Sequence, residues 1–294
     1  MVTLVVFSKD RALQCDSLLR SVKDYCTGVD RVVVLAKASS ELHIAAYRHL
    51  LQTSECDEMT VNGSTGGLPL GEDIFQAVND SVHTSLAVDD MIFYAPSDFK
   101  KAAFSLDEHQ GFVWSWRLGL REGRTEMEHC LSFDEAEEHW LVSALDSDRD
   151  YGYLWHSDGA LYKTRDYTDM LDRYLPDWRT GDYTPNDLEG RIAAQRKLWA
   201  PHVGPHVGPL RPTCITWQLN LARRDYASGS PAFELPETRL DVLADMYLAG
   251  KRVDNDALYG ALNANPLRWN RPGDRPTHVR ACEEASRYWA SCVR

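Results

Sequence analysis

Basic residues are scarce in this chain. Lysine and arginine total 32 against 44 aspartates and glutamates, for a net charge of -12. That balance argues against a nucleic-acid backbone as partner, because proteins that bind one present a basic face. It also means that an anionic small substrate needs local help, from a divalent cation or a few placed arginines. Paired cysteines are missing as well. The seven cysteines (Cys15, Cys26, Cys56, Cys130, Cys214, Cys282 and Cys292) are odd in number and never form a CxxC. This speaks for reduced thiols and against a disulfide framework or a zinc ribbon. No run approaches the ~18 apolar residues that a membrane helix needs, so no transmembrane segment is expected. The opening MVTLVVFSKDR enters a strand at once, with no basic segment leading into an apolar core, and a cytoplasmic protein is expected. The P-loop, serine-hydrolase and zincin signatures are absent too.

What is present is an ordinary folding composition over 294 residues, enough for one large core or two modest ones. VTLVVF is a continuous apolar run of the kind found in a parallel strand buried on both faces. After Ser8-Lys9-Asp10-Arg11, apolar groups recur at Cys15, Leu18, Leu19, Val22 and Cys26, which is helical spacing, and Gly28 follows as a stop. RVVVLA is a second buried strand, followed by a helix through Tyr47 and Leu51. This β-α-β start implies right-handed crossovers and a parallel sheet. NGSTGGLPLG reads as a loop, and a helix follows through Ile74, Phe75 and Val78. SLAVDDMIFYAPSD holds two apolar runs separated by two aspartates, and GFVWSWRLGL reads as another strand. The acidic stretch from Arg121 to Asp150 is expected to be a surface excursion or mobile loop, with room for a short helix around His139-Trp140. YGYLWHSDGALYKTRDY returns to sheet, and TRDYTDMLDRY is helical. In PNDLEGRIAAQRKL, Asn186 and Glu189 have the spacing of a capping box. PHVGPHVG reads as a loop or lid, and ELPETRLDVLADMYLAGKRV as an amphipathic helix stopped by Gly250. The fold class is therefore α/β: a central, mostly parallel sheet flanked by helices, with a C-terminal helical and loop extension.

Chemistry concentrates in a few places. Asp89-Asp90 follow an apolar strand, which puts two carboxylates at the edge where open α/β folds bind ligands. Mutual repulsion and desolvation oppose such a pair unless a Mg2+ or Mn2+ offsets them. The competing reading is a solvated turn in which one aspartate caps the next element. SKDR after the first strand offers a hydroxyl, Lys9, Asp10 and Arg11 to a ligand, or else an N-cap and a surface cation. His156 and Asp158 in HSDG have the makings of a base, or of a tight turn and nothing more. Arg117 is either a ligand contact or a structural ion pair. Of the two acids in PNDLEG, Glu189 fits the cap, and Asp187 is the one free to face a cleft. His202 and His206 stand four apart, but the prolines and glycines around them argue against the helix that would give this spacing meaning, and incidental histidines in a loop are the better reading.

In combination, VVFSKDRALQCDSLLRSV, SLAVDDMIFYAPSD, GFVWSWRLGL, HSDGALYKTRD and PNDLEG resemble the bacterial glycosyltransferase family-2-like group, which has a GT-A fold. The resemblance runs from Val5 to about Gly190, with weaker echoes from Leu240 to Val253. The chain departs from the group in having Val88 where a strict DxD has its first aspartate, and Ser115-Trp116-Arg117 in place of Ser-Leu-Arg. The resemblance implies a nucleotide-sugar and metal-binding half over 1-120 and a sugar or acceptor half over 121-294, in one unit. It implies Asp90 as direct ligand of Mn2+ or Mg2+, Asp89 as second ligand or ribose contact, and Ser8, Lys9, Asp10 and Arg11 facing the nucleotide. Arg117 then approaches the sugar or diphosphate, and Asp158, helped by His156, or less favourably Asp187, acts as base. The expected partners are a UDP-, GDP- or dTDP-linked sugar and a small-molecule or saccharide acceptor. A nucleotide-sugar mutase using the same site is the competing enzyme, its closed cavity suggested by Trp114, Trp116, Trp140 and Trp155. A non-catalytic sugar-nucleotide-binding protein is the third reading.

Overall fold

A computed structural model of the chain describes residues 1-63, 67-117, 130-134, 139-143, 155-210, 213-216, 239-264 and 288-294. In chain order the elements begin with β1 (Val2–Lys9), α1 (Ala12–Tyr25), β2 (Cys26–Thr27), β3 (Arg31–Lys37), α2 (Glu41–Thr53), β4 (Glu58–Asn62), α3 (Leu70–Val78) and β5 (His83–Val88). There follow β6 (Met91–Phe93), β7 (Ser97–Asp98), α4 (Phe99–Glu108), β8 (Val113–Ser115), β9 (Cys130–Asp134), β10 (His139–Val142) and β11 (Ala160–Lys163). Then come α5 (Thr164–Tyr174), α6 (Pro185–Ala194), the single turn α7 (Arg196–Trp199), β12 (His206–Pro209), β13 (Cys214–Thr216), α8 (Leu240–Leu248) and α9 (Asn255–Ala264).

Nine strands form one mixed sheet in the order β4-β3-β1-β5-β11-β8-β12-β10-β9. The pairs β4-β3, β3-β1, β1-β5 and β8-β12 are parallel. The other four pairs are antiparallel, so β11 and β10 alone run against the remaining seven of the nine strands. Strands from both sides of residue 120 share this sheet.

The uninterrupted apolar run of β1 is explained by its two faces. Leu4 and Val6 join one core, while Val5 and Phe7 join the other. Alternate side chains of a strand point to opposite faces, and here both faces are covered by helices. The first core takes Leu18 and Val22 of α1, Tyr47 and Leu50 of α2, Phe99 and Leu106 of α4, and Tyr247 of α8. The second takes Ile74 and Val78 of α3, Leu171 of α5, and Leu188 and Ile192 of α6. Two elements have weak sequence signals. β4 is a half-exposed edge strand with only Met59 and Val61 to mark it, and α4 starts where Asp98 accepts hydrogen bonds from the amides of Lys100 and Lys101, each at 3.0 Å.

Two expectations are overturned here. His139-Trp140 lie in a strand, β10, rather than a short helix, because Trp140 is fully buried in a segment paired on both sides by β9 and β12. The second half of PHVGPHVG is likewise a strand, β12, set between β8 and β10 instead of a lid. Gly208 makes this possible, since a Cβ there would sit 2.4 Å from the Trp140 ring. The rest of the acidic stretch expected as a surface excursion lies largely outside the described residues.

Behind α1, the C-terminal part closes on the first core. Tyr247 Oη donates to Asp16 Oδ1 at 3.1 Å, and Asn255 and Ser17 exchange two hydrogen bonds at 2.7 and 2.9 Å. Arg252 and Arg294 pair through their backbones at 2.9 Å in both directions. No helix among the described residues is long and apolar enough to cross a membrane.

The start of α3 touches the chain after α5 so closely that a Cβ on Gly71 would lie 1.8 Å from the carbonyl oxygen of Trp178. Gly71→Ala is therefore expected to destabilise the protein by about 1–3 kcal/mol, the usual range for overpacking. A thermal melt checks this, with a drop of roughly 2–4 °C per kcal/mol. An unchanged midpoint would mean that the two backbones separate without cost.

Candidate active site

The register of the central strands brings the sequence candidates to one edge of the sheet. Phe7 of β1 is level with Val88 of β5, so Ser8 to Arg11 and Asp89-Asp90 leave adjacent strands side by side. β11 runs the other way, and its first residue, Ala160, is level with Leu86 of β5 and Ser115 of β8. The HSDG turn that precedes β11 and Arg117, which follows β8, therefore arrive at the same edge. This is the carboxyl edge of the parallel strands, the usual ligand side of an open α/β sheet.

Asp89 is the hub of the first half of the site. It is almost fully buried, and its Oδ2 accepts hydrogen bonds from Ser8 Oγ at 2.9 Å and the Lys9 amide at 3.0 Å. Its Oδ1 takes Arg11 Nη1 at 3.0 Å, and the same nitrogen reaches Asp90 Oδ2 at 2.8 Å. Because Ser8 gives its one proton to Asp89, Tyr47 Oη must donate to Ser8 Oγ, 2.6 Å away, while itself accepting from the Arg11 amide at 3.1 Å. Burial, then the nearby Asp89 charge, pushes the Tyr47 phenol well above its ordinary range, so it stays a donor. No local pattern in the sequence singles out Tyr47, which lies on the buried face of α2.

Asp90 sits less comfortably. Burial pushes its carboxyl up, Arg11 opposes this and the charges of Asp89 and Asp158 add to it, for a net rise to about 6. Its negative charge is thus only partly compensated. Asp10, expected to face a ligand, turns away: its backbone is left-handed with φ 60, and its Oδ1 accepts from the Ser39 amide at 2.7 Å, holding the end of β1 to the loop after β3. A short polar side chain that bonds locally tolerates this conformation.

The second half of the site is the HSDG turn. Gly159 has φ 72, and a Cβ on it would meet Met91 Cε at 2.9 Å and Cys214 Sγ at 3.0 Å, so glycine is required there. Asp158 Oδ2 pairs with Arg117 Nη1 at 2.8 Å and accepts from Thr216 Oγ1 at 3.2 Å. Its Oδ1 lies 3.4 Å from His156 Nδ1. Burial would raise the Asp158 carboxyl, but Arg117, then His156 and Thr216, outweigh it and hold the group below the ordinary carboxylate range. Tyr162 Oη clasps the His156 backbone, accepting from its N–H and donating to its carbonyl, both at 3.0 Å.

The two acids of PNDLEG exchange the duties expected of them. Pro185 at the first helical position makes Thr184 the N-cap, so Asp187, not Glu189, closes the capping box. Asp187 Oδ2 accepts from the Thr184 amide at 2.9 Å and its hydroxyl at 2.6 Å, and this role keeps Asp187 at the helix start. Glu189 Oε2 instead accepts from both the amide and hydroxyl of Ser157, at 2.9 and 2.7 Å, and so fixes the turn that carries His156 and Asp158. His202 is exposed on a 3-10 turn, and His206 is buried in β12 with its ring 6.0 Å from that of His156. Beside Asp89 and Asp90 a small cleft is walled by Gln14 and Ser17 of α1 and by Leu258 and Trp289 of the C-terminal part, which sequence patterning does not connect to the site.

The donor set decides which ion fits. No group of three or more His, Cys, Asp or Glu side chains among the described residues is placed to hold a metal. A resident zinc with a full protein shell does not match this. Asp89 has both oxygens engaged, whereas Asp90 is bound to Arg11 through Oδ2, so of the two neighbours Asp90 is the better placed to take an ion. A Mg2+ or Mn2+ that draws the rest of its shell from a diphosphate and water fits that arrangement.

No family model and no curated protein matches the chain. Among solved structures, TarS of S. aureus is 15% identical with a TM-score of 0.39, covering 70% of this chain and 36% of that one, so the chain spans about a third of its length. TarS 1-349 in complex with UDP-GlcNAc is 13% identical with a TM-score of 0.43, covering 98% of this chain and 81% of that one. Mannosyltransferase PcManGT from Pyrobaculum calidifontis, in complex with GDP-Man and Mn2+, is 15% identical with a TM-score of 0.45, covering 99% of this chain and 83% of that one. Likeness at this level transfers no residue role.

Proposed function

We propose that the chain is a metal-dependent glycosyltransferase of GT-A-like architecture that moves a sugar from a nucleoside diphosphate sugar to an acceptor hydroxyl. The observation that carries the reading is the meeting, at one sheet edge, of Asp89-Asp90 with Arg11 and of Asp158 with Arg117 and His156. Such an edge offers a place for the diphosphate on the β1-β5 side and for the sugar and acceptor on the β11 side. A divalent ion held by Asp90 would neutralise charge on the departing diphosphate. Ser8 and Asp89 shape the nucleotide side, and Arg11 and Arg117 supply positive charge at this edge.

Asp158 is our candidate for the residue that accepts the acceptor proton in an inverting reaction. With Arg117 on its Oδ2 it is a weak base, because a depressed carboxyl takes up protons poorly. Engagement of Arg117 by the donor diphosphate would strip that counter-charge and strengthen the base only once donor is bound. His156 orients Asp158 from the other side. Asp187, committed to its cap, takes no part in this scheme.

The experiment is incubation with Mn2+ and UDP-, GDP- and dTDP-sugars, without and then with candidate acceptors, following the anomeric region by NMR. The expected result is release of nucleotide from one donor class, accelerated by an acceptor. Formation of a new nucleotide-sugar isomer would replace the transferase with a mutase. Binding without conversion would make the chain a sugar-nucleotide-binding protein, and failure to bind any donor would sink the reading.

A further inference from the structure

Arg11 stands where the ion of the proposed site would have to approach. A single nitrogen, Nη1, bridges Asp89 Oδ1 at 3.0 Å and Asp90 Oδ2 at 2.8 Å, and the side chain is only a tenth exposed. Its backbone is pinned through Tyr47, while Ser8 and the Lys9 amide take the remaining oxygen of Asp89. One guanidinium thus serves two carboxylates. A divalent ion approaching Asp90 alone meets a like charge 2.8 Å from one of its two oxygens, at a place too buried for solvent to screen the repulsion. A guanidinium also has a second preferred partner, because its fork of donors matches phosphate oxygens as well as carboxylates.

We infer that Arg11 is an internal counter-ion for Asp90, so that the site admits a divalent cation only when a diphosphate draws the guanidinium away. Metal and diphosphate then enter together, each weak without the other. This rests on the glycosyltransferase reading for the identity of the diphosphate, but the competition between Arg11 and the ion does not.

The test is Mn2+ binding to the 294-residue chain, read by water-proton relaxation enhancement, for wild type and Arg11→Gln, with no additive, with inorganic pyrophosphate, and with UDP or GDP. Linked sites of this kind couple by roughly 5- to 150-fold. Wild type is expected to bind Mn2+ about tenfold more tightly with pyrophosphate present than without. Arg11→Gln is expected to bind Mn2+ without additive about tenfold more tightly than wild type, and to gain less from pyrophosphate. Equal affinity of the two proteins for Mn2+ alone overturns the inference, as does a wild type indifferent to pyrophosphate. A response to pyrophosphate with none to UDP or GDP upholds the counter-ion and removes the nucleotide-sugar reading. Should Arg11→Gln fail to fold, the wild type decides the matter by NMR of its arginine side chains. Mg2+ alone should leave the Arg11 guanidinium resonances in place and Mg2+ with pyrophosphate should shift them, whereas a shift with Mg2+ alone overturns the proposal.

Discussion

Asp89→Ala is expected to lower the unfolding free energy by about 3–5 kcal/mol, the range for breaking a buried ion pair from one side. Three donors lose their acceptor at once: the Ser8 hydroxyl, the Lys9 amide and one contact of Arg11. Each buried donor left unsatisfied costs about 1–3 kcal/mol, and Arg11 is spared the full penalty by keeping Asp90. The change also leaves Arg11-Asp90 as the remaining side-chain tie described between the ends of β1 and β5. Urea denaturation measures it as a shift in midpoint at unchanged slope. A loss below about 1 kcal/mol would show that Asp89 does not hold this edge together.

Asp90→Asn should do the opposite in the metal-free protein. The folded carboxyl titrates at about 6, against an ordinary value of 3.8. Folding therefore takes up a proton between these values, and stability falls as pH rises from about 4 to about 6. At 1.36 kcal/mol per pKa unit the loss is on the order of 3 kcal/mol by neutral pH. Asparagine has no charge to desolvate and can still accept from Arg11. The variant should thus gain on the order of 2–3 kcal/mol over wild type at pH 7.5, with the gain vanishing below pH 4. The same substitution should abolish metal-dependent turnover of the donor. Parallel denaturation curves at pH 4 and 7.5 check the first part, and a gain independent of pH would refute its cause. Neighbouring aspartates one residue apart would then be separable into one that builds the edge and one that is held there against its own solvation.

How much of this was legible in the sequence follows from physical range. β1 and β3 were readable because both faces of each are buried, which leaves an apolar run with little polar alternation, and β5 only through its apolar end, Leu86 to Val88. Asp89-Asp90 stood out because carboxylates after such a run are costly without a partner. The partners themselves were not readable. Tyr47 meets Ser8 across 39 residues, and Glu189 meets Ser157 across 32, with no local pattern to announce either contact. The cap at Thr184 was missed for a nearer reason: Asn186 and Glu189 also satisfy the spacing, and Pro185 is what sets the N-cap two residues earlier. β10 and β12 were misread because four-residue strands carry too short a period to outvote a cluster of prolines, glycines or acids.

The reversed direction of β11 has a consequence for how this scaffold can change. At the carboxyl edge of a parallel sheet, the segments that follow strands are free to lengthen, because what comes next is a separate helix. The segment that delivers Asp158 instead precedes its strand and is clamped between Gly159, Tyr162 and Glu189. An insertion there would have to break the glycine turn or shift the register of β11 against two neighbours at once. Lineages descended from this chain should therefore diversify elsewhere on this edge, with the four residues of the turn passed on at fixed length.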